Sequence, residues 1–269
     1  MPELPEVETI VRGIRAHVVG REFREVHVER QDVIRAGGKA FKDRLLGRRV
    51  SEVGRLGKRI MVHLDGGGLL IVHLGMSGRL VLEPANLLPA LHTHLRFSFT
   101  GLAEELRFLD PRRFGGVWYL PDGKAIGDLK PLGPDALEIR VPILREITRR
   151  SRQIKALLMD QQAISGLGNI YCDEALFAAR IHPLTRASRL TENRIKRLAC
   201  SIRKTLRASI DSGGSTLNDY RQADGSEGSF QRIHRVYDRK GLPCRRCGSK
   251  IVKIIAAGRS THFCPKCQK

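Results

Sequence analysis

The chain begins Met1-Pro2-Glu3, and removal of the first methionine would leave a proline amine beside a carboxylic acid. An α-amine has a lower pKa than a lysine amine, so more of it is a neutral nucleophile at neutral pH. A secondary amine that attacks a sugar C1′ has no second N–H to lose and stays a cationic iminium. That iminium would help neighbouring C–O bonds to break. The same residues also suit a plain helix start, with Pro5 and glutamates in the first turn.

Four cysteines near the C-terminus have the spacing of a metal site. Cys244 and Cys247 form one close pair, Cys264 and Cys267 form the other, and residues 248–263 lie between them. Such pairs bring four thiolates around a tetrahedral zinc ion at the turns of a β-ribbon. Two disulfide bonds are the alternative, which a reducing cytoplasm disfavours. A site closed by four cysteines is structural, so we expect one structural Zn2+.

The other cysteines and the residues between the two pairs carry less chemistry. Cys172 and Cys200 lie in helical segments and are predicted to be buried thiols. Four basic or titratable residues between the cysteine pairs are expected to decorate the ribbon: Lys250, Lys253, Arg259 and His262. The ribbon would then be a basic finger directed at a nucleic-acid backbone.

Residues 165–169, Ser-Gly-Leu-Gly-Asn, come directly before a predicted helix. Glycines let a ligand approach the backbone, and the free N–H groups and dipole of a helix start can receive a phosphate. Asn169 could instead be an ordinary helix cap. Lys58, after a glycine at the start of a strand, could hold a phosphate or be a solvated lysine.

Two tight turns at residues 73–78 and 110–115 carry Met76, Arg112 and Phe114. These side chains could be core plugs. Alternatively they are wedges, because apolar groups inserted into a base step, with an arginine filling the hole, kink DNA or keep it open after a nucleotide is extruded. Their position in the sequence does not choose between the two.

The overall charge favours a polyanionic partner. The 269 residues include 48 Lys and Arg against 28 Asp and Glu, a net charge of +20 that is spread along the chain. Nucleic acid is the expected partner, and an anionic membrane surface is the competitor. No apolar run is long enough to span a membrane, and the acidic N-terminus does not resemble a signal peptide, so we expect a cytoplasmic protein.

The elements that must position these residues change type along the chain. An apolar stripe predicts a first helix that Gly20 ends, and residues 21–120 read as short strands of an antiparallel sandwich or flattened barrel. Residues 121–142 are the predicted linker. Helices follow, then a long polar segment at 213–235. The predicted helices are 143–150, 154–161, 170–179 and about 191–212.

Six motifs in the same order resemble the bacterial formamidopyrimidine-DNA glycosylases, which are 8-oxoguanine repair enzymes. The resemblance covers essentially the whole chain. Its motifs are the start Pro-Glu-Leu-Pro-Glu-Val-Glu, Gly57-Lys58, His-Leu-Gly-Met-Ser-Gly at 73–78, Asp-Pro-Arg-Arg-Phe-Gly at 110–115, Gly-Leu-Gly-Asn-Ile-Tyr at 166–171, and the four-cysteine ribbon.

The resemblance implies catalytic roles for four residues. Pro2 would be the nucleophile and Schiff-base residue, and Glu3 the acid/base residue beside it. Lys58 would assist β-elimination and contact phosphate. Arg259 would be the zinc-finger arginine implicated in δ-elimination. The implied reaction is bifunctional: base removal, then β- and δ-elimination.

The resemblance also implies a DNA-binding set. Met76, Arg112 and Phe114 would fill the gap left by a flipped base. The remaining contacts implied by it are His73, His92, Arg150, Lys155 and Asn169. Residues of about 217–231 fall where the family has a mobile damage-recognition loop.

The implied fold class is α+β. An N-terminal antiparallel β-sandwich with a catalytic N-terminal helix would occupy residues 1–130. A helix–two-turn–helix domain with the recognition loop would occupy 131–235, and a zinc ribbon 236–269. The expected partner is double-stranded DNA containing oxidised purines, bound by a monomer in a bacterial cytoplasm without membrane attachment.

Two other functions fit parts of the same sequence. An endonuclease VIII-type glycosylase for oxidised pyrimidines shares the N-terminal proline and the zinc ribbon, but Leu4 and the Arg112-Arg113-Phe114 turn favour the purine enzyme. A non-catalytic zinc-ribbon DNA-binding protein would keep the ribbon and the charge and lack the nucleophile.

Overall fold

The computed structural model describes residues 2–121 and 131–269. Residues 122–130 of the predicted linker lie outside the described residues, as does Met1. By packing, the chain divides into two compact units, Met1–Lys130 with Ser212–Ser229, and Pro131–Asp211 with Phe230–Lys269. The sequence-based division places residues 212–229 with the helical domain, whereas their packing places them with the first unit.

The first unit starts with helix α1 (Leu4–Val18), as predicted. Glu3 is its N-cap and Pro5 lies in its first turn, where a missing N–H costs nothing. The chain leaves the helix before Gly20, whose φ of 82° suits a glycine. The helix packs one apolar face into the core: Leu4, Val7, Ile10, Val11, Ile14 and Val18 are all buried.

Two β-sheets pack with α1 around one apolar core. One sheet has the order β1-β7-β8-β6 and the other β2-β9-β5-β4-β3. The strands are β1 (Phe23–Val28), β2 (Ile34–Ala36), β3 (Val50–Leu56), β4 (Arg59–Leu64), β5 (Leu69–His73), β6 (Arg79–Pro84), β7 (Thr93–Phe99), β8 (Glu104–Leu109) and β9 (Gly116–Leu120), with a short helix α2 (Phe41–Leu45) between β2 and β3.

The predicted antiparallel pairing is seen in two hairpins, because β4 pairs antiparallel with β5 and β7 with β8. One pairing departs from the predicted antiparallel sandwich. Strand β2 runs parallel to β9. Parallel neighbours need a long crossover, so this contact joins residues far apart in sequence and leaves no local pattern.

The second unit is helical and ends in a β-ribbon. Its elements are α3 (Val141–Thr148), α4 (Ile154–Met159), α5 (Asn169–Ala179), α6 (Glu192–Asp211), β10 (Val252–Ala256) and β11 (Arg259–Phe263). All four helices were expected close to these bounds. Of the two isolated cysteines, Cys172 in α5 is buried as predicted, but Cys200 in α6 is only partly buried. In the described parts of the chain, no helix has the length and apolar character needed to cross a membrane.

Candidate nucleic-acid site and zinc centre

Pro2 and Glu3 lie at the N-terminal end of α1, and both are buried. The side chains and backbones of Glu3 and Glu6 form a reciprocal capping box: each carboxylate accepts the backbone N–H of the other residue. The bond from the Glu3 N–H to Glu6 Oε2 is 2.8 Å long. Two hydrogen bonds thus fix the backbone next to Pro2 relative to the helix axis.

Lys58 lies in the turn between β3 and β4, beside Gly57, whose φ is 59°. Arg55 ties this turn to α1, because its guanidinium donates to Glu8 Oε2 at 3.0 Å and to the Gly57 carbonyl at 3.1 Å. Burial raises the pKa of Glu8, but hydrogen bonds from Arg12 and Arg55 outweigh burial and lower it. An ionised Glu8 therefore anchors the turn that carries Lys58 to the helix that carries Pro2.

His73 ends strand β5 and is held as a neutral imidazole. Its Nδ1 accepts the Gly75 N–H at 3.2 Å, which leaves Nε2 to carry the proton. Burial, followed by the positive charges of Arg59 and Lys58, lowers its pKa from 6.5 to about 4. His73 can therefore offer a phosphate an N–H donor without a positive charge of its own.

Met76, Arg112 and Phe114 are exposed. Met76 is 37% exposed and Phe114 56%, so neither is a core plug. The Arg112 guanidinium carbon lies 4.6 Å from the centroid of the Phe114 ring, in a cation–π contact. The two turns thus present an apolar side chain and a stacked aromatic–arginine pair to solvent, as wedges require.

Asp110 joins the two turns, and sequence reasoning missed its role. It is 0% exposed and accepts from the Ser77 hydroxyl at 2.6 Å and from the Gly115 N–H at 2.7 Å. The Arg112 N–H in turn donates to the Ser77 oxygen at 3.3 Å. An aspartate just before a proline is a common turn acceptor, so the Asp-Pro pair was the available signal.

His92 lies beside the same buried aspartate. Its φ is 67°, a left-handed conformation, and its carbonyl accepts the Asp110 N–H at 3.1 Å. His94 Nε2 lies 2.9 Å from the Asp110 carbonyl oxygen. His92, which is exposed, therefore belongs with the wedge turns in one frame that is organised around Asp110.

In the second unit the four cysteines form one cluster. Their sulfur atoms all lie within 4.8 Å of one another, with Cys244 and Cys267 4.0 Å apart and Cys247 and Cys264 3.5 Å apart. A tetrahedral site with Zn–S bonds of about 2.3 Å has sulfur atoms about 3.8 Å apart. None of the four is in a disulfide. The residues fit zinc, and the predicted structural zinc site is confirmed.

Arg259 opens β11 and is exposed, after a turn in which Ala257 and Gly258 have φ of 52° and 68°. The next residue is fixed from α5, since Asn169 Nδ2 donates to the Ser260 carbonyl at 2.9 Å. Gly168, not Asn169, is the N-cap of α5. Asn169 is therefore a link between α5 and the ribbon and not an ordinary cap.

Lys155 is 0% exposed. Its ammonium donates to Asp173 Oδ1 at 2.7 Å, to Thr261 Oγ1 at 2.7 Å and to the Ser260 carbonyl at 3.2 Å. The ammonium thus reaches protein groups instead of solvent. Its effect is to hold the strand that follows Arg259.

His262 differs from the expected arrangement, whereas Arg150 is exposed. His262 is 3% exposed, and its backbone N–H donates to Asp173 Oδ2 at 2.7 Å, so it supports the ribbon from inside and does not decorate it. Arg150 is exposed just after α3, and no side-chain hydrogen bond brings it to the ribbon residues described above.

Comparison with known proteins covers nearly the whole chain. Residues 1–117 match the formamidopyrimidine-DNA glycosylase N-terminal domain, 132–221 its H2TH domain, and 241–269 the zinc finger found in FPG and IleRS. The curated formamidopyrimidine-DNA glycosylase of Pelotomaculum thermopropionicum is 42% identical over 100% of this chain and 99% of its own length.

Two solved structures have the same fold along their length. The MutM (FPG) protein of Thermus thermophilus is 43% identical, with a TM-score of 0.87 over 99% of this chain and 98% of that one. The wild-type Lactococcus lactis Fpg, in complex with DNA containing an N7-benzyl-Fapy-dG, is 35% identical, with a TM-score of 0.91 over 100% of both chains.

The fold, the capped N-terminal helix and the zinc finger together define a zinc-containing DNA glycosylase of base-excision repair that is also a lyase. Its partner is DNA. The chain belongs to the formamidopyrimidine-DNA glycosylase family.

Proposed function

We propose that the chain removes oxidised purines, 8-oxoguanine and formamidopyrimidines, from double-stranded DNA with Pro2 as the nucleophile. The capping box at Glu3 and Glu6 carries this proposal, because it fixes the backbone beside a secondary amine. The positive end of the α1 dipole disfavours a positive charge on the Pro2 nitrogen and so favours its neutral, nucleophilic form. Removal of Met1 is required, since an acylated proline nitrogen has no free electron pair.

The reaction follows from the amine. Pro2 nitrogen attacks C1′, the C1′–N bond to the base breaks, and the base leaves with a proton. The adduct becomes an iminium after the sugar ring opens, with Glu3 as the neighbouring acid/base group. Loss of a C2′ proton then breaks the C3′–O bond, and a second elimination breaks the C5′–O bond. Water finally releases Pro2 by hydrolysing the last adduct.

Lys58 and Arg259 are the proposed partners of the elimination steps. Lys58 has no hydrogen bond or ion pair with residues 2–121 and 131–269, so its ammonium is available for a phosphate or a departing oxygen. Arg259 is exposed on a turn that the ribbon holds rigid. The zinc ion shapes that ribbon and takes no chemical part.

The proposed DNA contacts supply position and the opening of the helix. His73 would donate to a phosphate, and the Asn169 region of α5 would receive another at a helix start. Met76 with the stacked Arg112–Phe114 pair would fill the space that the extruded nucleotide leaves.

Borohydride trapping tests the nucleophile. The protein is mixed with a duplex that contains 8-oxoguanine opposite cytosine, and borohydride is added to reduce the iminium. We expect a covalent protein–DNA adduct with the mature protein and none when Met1 is retained. A non-catalytic zinc-ribbon protein would bind the duplex and give no adduct in either form.

The lesion preference needs a second substrate. Cleavage of the 8-oxoguanine duplex is compared with cleavage of a thymine glycol duplex of the same sequence. We expect the first to be cut much faster. Strong preference for the second would identify the pyrimidine-type activity instead.

The proposal also covers location, oligomeric state and domains. We propose a monomer that acts on the chromosome in the bacterial cytoplasm. Its three proposed functional segments are 1–130, 131–235 and 236–269.

A further inference from the structure

The Glu6 carboxylate bonds to two parts of the first unit at once. It is 1% exposed, one turn into α1. Its Oε2 accepts the N–H of Glu3, and its Oε1 accepts the N–H of Ser215 at 2.8 Å. One side chain thus connects the residue next to Pro2 with the segment Ser212–Ser229, which we call the 212–229 segment.

The segment fits closely against this carboxylate. Gly214 has a φ of 83°, and a Cβ there would lie 3.0 Å from Glu6 Oε1. The Tyr220 hydroxyl donates to the Gly213 carbonyl at 3.0 Å and approaches the Glu6 carbonyl at 3.5 Å. Burial, with the charge of Glu6, raises the pKa of Tyr220, so its hydroxyl remains a donor.

A second contact joins the same segment to α1 and to the sheet. A Cβ at Gly13 would lie 2.7 Å from the Cβ of Ala223, so helix and segment touch there without room for a side chain. The Leu82 N–H donates to the Ala223 carbonyl at 2.7 Å. Displacement of the segment would therefore disturb α1 at Gly13 as well as at Glu6. Of these two positions, Glu6 is the one near Pro2.

We propose that Glu6 is a positioning residue that couples the 212–229 segment to the nucleophile. The inference rests on the proposed function, in which Pro2 attacks C1′. When the segment is seated, the Ser215 amide holds the Glu6 carboxylate, and the carboxylate holds the Glu3 amide beside Pro2. When the segment is displaced, Glu6 loses the Ser215 donor and Pro2 loses its fixed position. A damaged base that stabilises the seated segment therefore also positions the amine.

The chemistry of the contact requires a carboxylate. Two backbone N–H groups approach two oxygens, and each oxygen is an acceptor. A glutamine has one acceptor oxygen and one NH2 group, so one of the N–H groups would face another donor. An unsatisfied buried donor corresponds to a loss of roughly 5-fold to 150-fold in an equilibrium.

Two substrates show whether the segment acts through Pro2. Both reactions need the amine, but a duplex with a preformed abasic site has no damaged base, so a slower reaction there reports on Pro2 alone. We expect Glu6→Gln to slow both single-turnover 8-oxoguanine release and abasic-site cleavage by about tenfold, because both need Pro2 in its fixed position. Amide hydrogen exchange at Ser215 should become faster in the same variant.

The matched control is Glu8→Gln, which removes a carboxylate from the same helix that contacts Arg55 and not the segment. It should leave exchange at Ser215 unchanged. Gly214→Ala is the decisive variant: its Cβ would press on Glu6 Oε1 from the segment side, so slower abasic-site cleavage is expected although the substitution lies in the segment and not in α1.

Wild-type abasic-site cleavage in Gly214→Ala, or unchanged exchange at Ser215 in Glu6→Gln, would overturn the coupling. If Glu6→Gln does not fold, Gly214→Ala decides alone by its rate of abasic-site cleavage. Failure of the proposed function looks different, because then the wild type itself would release no base and form no borohydride adduct.

Discussion

Replacing Lys155 with methionine should weaken the second unit strongly. The Lys155 and Asp173 side chains are both 0% exposed, and their charged atoms are 2.7 Å apart. Methionine keeps much of the lysine volume and removes the charge, so Asp173 would stay buried with the His262 N–H as a donor and the His262 Nδ1 3.4 Å away. Breaking a buried pair from one side costs about 3–5 kcal/mol. We expect the free energy of unfolding of this unit to fall by that amount.

A double variant separates the pair from its surroundings. Lys155→Met with Asp173→Asn removes both charges, and the asparagine oxygen can still accept the His262 N–H. We expect it to be more stable than Lys155→Met alone, with a coupling energy of at least about 2 kcal/mol in a double-mutant cycle. Glu192→Gln is the control. It breaks an exposed pair with Arg145 and should cost at most about 1 kcal/mol.

Urea titration provides the measurement. Far-UV circular dichroism follows the helices, which lie mainly in the second unit, and the fluorescence of Trp118 in β9 follows the first. The circular-dichroism transition should move in Lys155→Met, and the fluorescence transition should not. If this variant unfolds like the wild type and yet loses 8-oxoguanine excision, the ammonium acts on DNA directly and the buried-pair argument is refuted.

Four further outcomes follow from the same structure. Asp110→Ala should destabilise the first unit by about 2–4 kcal/mol, because two buried hydrogen bonds are lost, and should weaken lesion binding; unchanged stability in urea would contradict its role as a frame. His73 should titrate in NMR near pH 4; its stabilising contribution is full above pH 6.5 and is lost as pH falls toward 4, because the folded state binds the proton more weakly. Cys244→Ser, or zinc removal by a chelator, should unfold the ribbon and reduce DNA affinity; full affinity after zinc removal would contradict this. The net charge of +20 predicts many phosphate contacts, so filter binding to an undamaged duplex should weaken steeply as salt rises; a flat response would show that the excess charge does not meet the DNA backbone.

Local patterns predicted the elements that depend on neighbours in sequence. The stripe from Val7 to Val18 predicted α1, and the spacing of the cysteines predicted the zinc cluster, because periodicity and ligand spacing are written within a short stretch. Sequence motifs also located the two turns that carry the proposed wedges. The sequence did not predict whether Met76 and Phe114 are buried or exposed, because a turn motif carries no information about the residues that pack against it.

The contacts that the sequence did not predict join residues far apart along the chain. Lys155 reaches Thr261, which lies far along the chain, so its burial has no local signature. His262 was expected on the surface of the ribbon, but it is buried. Its backbone N–H donates to Asp173, the residue that also accepts from Lys155. The β2–β9 pairing and the packing of the 212–229 segment on α1 are long-range contacts of the same kind.

The frame around Asp110 separates the stability of the two turns from the identity of their exposed side chains. Its hydrogen bonds run through Ser77, Gly115 and the backbone of Arg112, while the side chains of Met76 and Phe114 are exposed and take no part in them. Under the proposed function, exchanging an exposed side chain would therefore alter what is inserted into DNA at little thermodynamic penalty, whereas exchanging a frame residue would alter the fold. The exposed side chains of the two turns can thus be varied while the scaffold stays fixed.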